Sequence, residues 1–253
     1  MIAVPVLAVN AVGRECVKFP WTCLIEKPAG YNVNDAEDLA GYATQFNRSA
    51  FVALNRRHFS SMQTLLKDLE ALTGPRLIQV HDQEDQVAAL HDGQPRLVVE
   101  NWMYANSLHV IDLFSILGRG DVVAVEPIIR WNPQEPRFVA AKIVFDSGDI
   151  GLYQAVWNGP GPWAVNVTTR EKRWELRPLE QACFQQHGSR RLEPVPVHEW
   201  DSRFKPGLRM QAQLAVQAAM GQPTPTLPSL EDALASMRLV QAIYGNGLRR
   251  VQE

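Results

Sequence analysis

A lysine near the start of the chain stands where a parallel sheet commonly binds its ligand. Residues 22–28 read Thr-Cys-Leu-Ile-Glu-Lys-Pro, so an apolar run ends abruptly in Glu26, Lys27 and Pro28. This pattern is typical of a buried parallel strand, and open α/β sheets bind ligands beyond the carboxyl ends of their strands. An ammonium group there can polarise a carbonyl and stabilise a developing alkoxide. Lys27 is therefore the first candidate for chemistry, with a solvated, inert surface lysine as the alternative.

A histidine in the middle of the chain is the second candidate. A helix is predicted over residues 106–117, and it contains His109 with Asn106 and Asp112 nearby. An imidazole titrates near neutral pH and therefore suits proton transfer, and either neighbour could orient the ring. Taken alone, such a histidine is more often a helix-capping or core residue held by one hydrogen bond, and this alternative stays open.

Two adjacent arginines follow another apolar segment, in the sequence Asn55-Arg56-Arg57-His58. A guanidinium group at the carboxyl end of a strand suits a carboxylate, a phosphate or a sugar diol. An inter-domain salt bridge explains either arginine equally well. The other histidines and the three cysteines lack the spacing of metal ligands, so no metal site is predicted.

The first part of the chain alternates strand and helix patterns. Strands are predicted over residues 2–6, 21–25 and 50–54, with helices over residues 7–19 and 34–46. Asn34 is the expected cap of the second helix, with Glu37 as its reciprocal partner. This alternation predicts parallel strands joined by right-handed crossovers.

The rest of the chain changes to a strand-rich pattern. A helix over residues 60–72 and a strand over 77–81 precede a polar stretch to residue 96 that reads as a loop or short helix. Strands are then predicted over residues 122–129, 138–145, 150–157, 163–169 and 173–179, and helices over residues 207–220 and 229–244. The expected fold class is α/β + α+β. A parallel Rossmann-like domain (residues 1–56) precedes a domain with a large, mostly antiparallel sheet and flanking helices (residues 57–253), and the last helices could pack back on the first domain.

Composition limits the class of partner. The chain has 253 residues, of which 46% are hydrophobic and 21% charged, and its formal net charge is −2. No basic stripe suggests nucleic acid, and no Lys/Arg-rich amphipathic helix suggests a membrane surface. The apolar N-terminus lacks the basic start of a signal peptide, and three cysteines are an odd number. Reduced thiols and a cytoplasmic location are expected.

Most of the tryptophans lie in the strand-rich half. They could form a stacking platform for a sugar, but such aromatic residues more often fill a sheet face or a subunit interface. An open antiparallel sheet also leaves one face that a second subunit can cover. A homo-oligomer formed through this sheet is therefore predicted. The tryptophans concerned are Trp131, Trp157, Trp163, Trp174 and Trp200.

Several short segments, taken in order, resemble the Gfo/Idh/MocA family of nicotinamide-dependent sugar oxidoreductases. The first is Glu26-Lys27-Pro28, and the arginine pair and the segment from Tyr104 to Asp112 follow. The last two are Phe204-Lys205-Pro206-Gly207 and Ser229-Leu230-Glu231-Asp232-Ala233. Glu-Lys-Pro alone is a weak signal, but the ordered set spans nearly the whole chain.

The resemblance implies a function and a set of site residues. It implies hydride transfer between NAD or NADP and a hydroxyl or ketone of a small-molecule sugar or nucleotide-sugar. Lys27 and His109 would be catalytic, as electrophile and proton shuttle. Pro5, Glu26 and Lys27 would contact the cofactor. The substrate would be bound by Arg57, Asn106 and His109.

Two departures from the family pattern stand out. No Gly-x-Gly-x-x-Gly motif for the cofactor pyrophosphate occurs in the sequence, and Ala105 stands where the family has an aspartate four residues before the histidine. The Rossmann-like sheet is thus expected to be truncated, or Met1 is not the natural start. The alternative function is that of a degenerate member that binds a sugar-like ligand or a partner without redox turnover.

Overall fold

The computed structural model describes residues 1–245 and 248–249. It contains a two-stranded parallel sheet followed by a nine-stranded, mostly antiparallel sheet with helices packed around both. This architecture confirms the predicted fold class. The proposed division at residue 56 stays a prediction. In the part of the chain described, no helix is both long and apolar enough to cross a membrane.

The small sheet carries the first candidate residue. Strands β1 (Cys23–Ile25) and β2 (Ala50–Val52) pair in parallel, and helices α1 (Val9–Cys16) and α2 (Val33–Gln45) connect and cover them. The strand predicted over residues 2–6 is reduced to a parallel bridge between Ile2 and Ile25, because Val6–Ala8 already turn as a 3₁₀ helix behind Pro5.

The predicted cap of α2 was wrong by two residues. Asn32, in an extended conformation, accepts a hydrogen bond from the backbone N–H of Asp35 at 2.9 Å. An asparagine side chain at this position satisfies one of the free N–H groups of the first turn. Asn34 lies inside the helix.

The large sheet has the order β10-β9-β8-β7-β3-β6-β5-β4-β11. Only β3 and β6 pair in parallel. The bounds of the strands are β3 (Leu77–Glu84), β4 (Val122–Ile129), β5 (Phe138–Phe145), β6 (Ile150–Trp157), β7 (Ala164–Thr168), β8 (Lys172–Leu176), β9 (Ala182–Gln186), β10 (Glu193–Pro194) and β11 (Leu248–Arg249). Strand β3 is three residues longer than predicted, β8 ends three residues before the predicted residue 179, and β9, β10 and β11 were not predicted.

The remaining helices pack against one or both sheets. They are α3 (Ser60–Glu70), α4 (Gln86–His91), α5 (Arg96–Glu100), α6 (Leu108–Ile111), α7 (Leu113–Leu117), α8 (Glu199–Arg203), α9 (Leu208–Ala219) and α10 (Leu230–Tyr244). A π-helical turn (Met103–Ser107) leads directly into α6, so the predicted helix over residues 106–117 starts earlier and is divided.

The C-terminal helix joins the two sheets. Ser229 and Asp232 form a reciprocal capping box at the start of α10, as its sequence pattern suggests. The segment before it reaches the small sheet, because the Val52 N–H donates to the carbonyl of Pro228 at 2.9 Å. Helix α10 then passes α2 and the π-helical turn. It thereby contacts both α2, which follows β1, and the π-helical turn that leads to His109.

Candidate functional site

Lys27 lies at the carboxyl end of β1, as the apolar run before it indicated. Its ammonium donates a hydrogen bond of 2.5 Å to the backbone carbonyl of Ala105, 78 residues further along the chain. Burial, followed by the charge of Arg56, lowers the pKa of Lys27 to about 8. Lys27 is therefore not the solvated surface lysine of the alternative interpretation.

His109 is buried one turn after Ala105, so Lys27 is bonded to the turn that leads to the histidine. Its Nε2 lies 3.0 Å from the guanidinium Nη1 of Arg56. Since arginine only donates hydrogen bonds, Nε2 is the acceptor and the proton lies on Nδ1. That Nδ1 is buried without a partner among the described residues. Burial, followed by nearby positive charges, holds the pKa of His109 well below its usual value, so the ring is neutral at pH 7.

The two neighbouring arginines have different environments. Arg57 forms a buried, bidentate ion pair with Asp112, in which Nε and Nη2 each lie 2.6 Å from a carboxylate oxygen. Nη2 also donates to the Ser115 hydroxyl at 3.0 Å. The structure thus does not bring Arg57 to His109, because Asp112 occupies its guanidinium group. Arg56, one residue earlier in the 3₁₀ turn Asn55–His58, is the arginine that contacts His109.

Asp112 and Asn106 do not orient the imidazole. Asp112 is bonded to Arg57 and accepts a third hydrogen bond, of 2.7 Å, from Ser236 in α10. The Asn106 amide donates to the Glu84 carboxyl at 2.9 Å. The ring of His109 faces Trp163 instead, with 6.0 Å between the ring centroids. Its closest polar contact is therefore a cation and not a carboxylate.

The cofactor residues expected from the resemblance lie at one end of the small sheet. The Glu26 N–H donates to the Ile2 carbonyl at 2.8 Å, which places Glu26 and Lys27 next to the turn that contains Pro5. That turn, Val4-Pro5-Val6, contains no glycine. The turn therefore lacks the glycine-rich sequence that usually binds the pyrophosphate of a dinucleotide.

Comparisons with known proteins identify the fold. No family model matches the sequence, and no curated protein matches it. Solved structures do match. Levoglucosan dehydrogenase, in complex with NADH, is similar over 100% of this chain and 79% of its own, with 16% identity and a TM-score of 0.79. UDP-N-acetylglucosamine 3-dehydrogenase GnnA from Acidithiobacillus ferrooxidans matches 96% of this chain and 76% of its own, with 16% identity and a TM-score of 0.72.

A third match is the WlbA dehydrogenase from Bordetella pertussis, in complex with NADH and UDP-GlcNAcA. It covers 99% of this chain and 78% of its own, with 15% identity and a TM-score of 0.72. The chain has the Gfo/Idh/MocA-type oxidoreductase fold. The similarity over almost its whole length agrees with the order of the motifs in the sequence.

Within this fold, a buried polar network that the sequence did not predict lies near Lys27. Asp82 and Glu84 are both buried in β3. Tyr153 donates to Asp82 at 2.6 Å, and the hydroxyl groups of Tyr153 and Tyr244 lie 2.8 Å apart. Burial, followed by the charge of Asp82, raises the pKa of Glu84 well above its usual value. The sequence signal for this network is the alternation along β3, because Asp82 and Glu84 continue the every-second-residue pattern of the buried Ile78 and Val80.

No group of three or more metal-ligating side chains occurs among the described residues. The charged and polar groups around His109 include an ammonium, a guanidinium and a neutral imidazole. Such a set can bind and polarise an oxygen and can exchange one proton.

Proposed function

We propose that the protein is an oxidoreductase that transfers hydride between NAD or NADP and a hydroxyl or ketone of a sugar or nucleotide-sugar. The observation that carries the proposal is the contact between Lys27 and the turn that leads to His109, at the carboxyl end of β1. The fold supports it, because the similar structures include dehydrogenases in complex with NADH. In this reaction the nicotinamide accepts or supplies the hydride.

Lys27 is the proposed electrophile. With its pKa lowered to about 8 by burial and by Arg56, the side chain is mostly an ammonium at pH 7. It donates to a backbone carbonyl, which leaves N–H groups for a substrate oxygen. An ammonium in a buried site stabilises the negative charge that develops on that oxygen.

His109 is the proposed proton shuttle. Its ring is neutral, so it can accept a proton at the nitrogen that carries none. In the structure Arg56 donates to that nitrogen, and Arg56 must move away from it for proton transfer. Asn106 and Arg57 have less support as substrate contacts, because Glu84 and Asp112 already bind them.

We further propose a homo-oligomer formed through the large sheet. Its outer face bears large exposed apolar side chains, with Ile128 62% and Phe138 55% exposed. A second sheet packed on this face would remove them from water. A cytoplasmic location is proposed from the three cysteines, none of which forms a disulfide.

The test of the reaction class is cofactor binding followed by turnover. Fluorescence titration should detect NADH or NADPH binding, and a panel of sugars and nucleotide-sugars should then support hydride transfer. Lys27→Met should abolish turnover while the protein keeps its fold. The proposal fails for this polypeptide if neither cofactor binds at millimolar concentration, and Lys27 is structural if the variant keeps the wild-type rate.

A further inference from the structure

Three positively charged side chains act on His109 and have no ion-pair partner in the part of the chain that the structure describes. Lys27 follows β1, Arg56 follows β2, and Lys205 precedes α9. No carboxylate oxygen of the described residues lies within 4.0 Å of any of the three charged groups. By contrast, Arg57 and Arg119 both form close ion pairs in the same structure. The site therefore concentrates positive charge that the surrounding chain does not neutralise.

Among the described residues, Arg56 contacts only neutral groups. Its Nη1 donates to the Asn55 amide oxygen at 2.6 Å and to the His109 ring at 3.0 Å. Its guanidinium carbon lies 5.3 Å from the ring centroid of Trp163. A guanidinium group forms its strongest hydrogen bonds with a carboxylate or phosphate. The contact with imidazole is thus one that an anionic ligand can displace.

The backbone that follows Lys205 packs on the turn that contains Arg56, and the positive charge of Lys205 acts on both Lys27 and His109. The Pro206 carbonyl accepts a hydrogen bond of 3.1 Å from the Asn55 side chain. Gly207 has a φ of +75°, and a Cβ atom there would lie 2.3 Å from the Asn55 carbonyl oxygen. Only glycine permits both this conformation and this approach. The start of α9 is therefore tightly packed on the turn that carries Arg56, while the Lys205 side chain itself is exposed.

The nearby acids do not cancel this charge. Glu84 is bonded to Asn106 and Ser107, and burial favours its neutral form. Glu26 and Glu180 act on Arg56 only from beyond ion-pair distance. Burial, followed by the three positive charges, holds the pKa of His109 well below its usual value. Each of these observations describes a site that lacks an anion.

We propose that the sugar substrate is acidic and carries a carboxylate that Arg56 and Lys205 bind, while Lys27 contacts the reacting oxygen. This inference deepens the proposed function and rests on it. A carboxylate that recruits the guanidinium of Arg56 also frees Nε2 of His109 to accept a proton. Binding of the acidic group would thus prepare the base, and a neutral sugar would leave it blocked.

The test measures binding without turnover, so it is separate from the test of hydride transfer. Isothermal titration of the full chain, with and without NADH, would compare D-glucuronate and D-galacturonate with D-glucose and D-galactose. We expect at least one acid to bind about tenfold or more tightly than its neutral partner, since a hydrogen bond to a charged group contributes roughly 1.4 kcal/mol or more. Raised salt should reduce the difference.

Variants identify the binding groups. Lys205→Gln changes an exposed side chain, so the fold should be kept, and we expect it and Arg56→Gln each to lose most of the preference for the acid. Lys67→Gln, an exposed lysine on α3, is the matched control and should keep the preference. The proposal is overturned if acids and neutral sugars bind equally, if no sugar binds, or if both site variants keep the preference. Selective binding of D-glucose 6-phosphate over the acids would overturn the carboxylate assignment.

Discussion

Removing the charge of Asp112 should destabilise the protein far more than removing an exposed carboxylate. Asp112 accepts two hydrogen bonds of 2.6 Å from Arg57 and one of 2.7 Å from Ser236. Only 9% of the Arg57 side chain and 1% of the Asp112 side chain are exposed. Burial opposes the charge of Arg57, yet the carboxylate of Asp112 raises the pKa of Arg57 above its usual value. The pair therefore depends on both partners.

The size of the effect follows from the burial. Breaking a buried ion pair by removing one partner costs about 3–5 kcal/mol, because the other charge stays buried and unpaired. For a chain of this size, 1 kcal/mol lowers the melting temperature by roughly 2–4 °C. Asp112→Asn should therefore lower it by about 6–20 °C. The variant keeps the side-chain volume, so the loss reports on charge and hydrogen bonding.

Denaturant and thermal unfolding would measure the loss, with Asp38→Asn as the matched control. Asp38 pairs with Arg14 at 3.1 Å, and both side chains are more than a third exposed, so its loss should cost at most about 1 kcal/mol. A double-mutant cycle with Arg57→Gln should give a coupling energy of about 2 kcal/mol or more. Equal costs for Asp112→Asn and Asp38→Asn would refute the reasoning and leave Arg57 free to bind a ligand, as the sequence alone suggested.

Three further outcomes are expected. Burial raises the pKa of Glu84 well above 4.5, so the free energy of unfolding should fall as the pH rises from about 4.5 towards the folded-state pKa. Glu84→Gln should remove this pH dependence. The expectation is contradicted if the melting temperatures of variant and wild type change with pH in the same way. Hydride transfer should decline above pH 8, where Lys27 loses its proton, and any turnover of Lys27→Arg should lack that decline; an unchanged pH profile would show that another group titrates. Ile128→Glu with Phe138→Glu should dissociate the oligomer in sedimentation experiments, whereas an unchanged assembly would place the interface elsewhere.

Three strands of the large sheet, β4, β5 and β6, were predicted with their observed bounds because turn-forming residues separate them. Strands β5 and β6 have the predicted bounds, and Ser147-Gly148 and Asn132-Pro133 supply turns around them. The apolar run before Lys27 predicts its place after a buried strand, whereas His109 is a candidate chiefly through the family resemblance, and the catalytic roles of both residues stay predictions. These signals are local, and the tertiary structure did not override them.

The predictions that were wrong concern residues whose surroundings depend on the direction in which the side chain points. Arg56 and Arg57 are adjacent in a 3₁₀ turn, and the sequence does not say which of them meets Asp112 and which meets His109. Strand β3 was ended at His81 because Asp82 and Glu84 are acidic, yet both are buried on hydrogen-bond partners from distant segments. A buried acid with a partner far along the chain has no local sequence signature.

The departure at Ala105 bears on the excess of positive charge around His109. The family resemblance expects a carboxylate one helical turn before His109, where it would lie beside the imidazole. With Ala105 in its place, Lys27 bonds to a backbone carbonyl, which satisfies a hydrogen bond but brings no negative charge. Arg56 then contacts a neutral imidazole. A carboxylate on the proposed acidic substrate would restore the missing charge, and preferential binding of acidic sugars would then explain Ala105 by a change of substrate and not by a loss of chemistry.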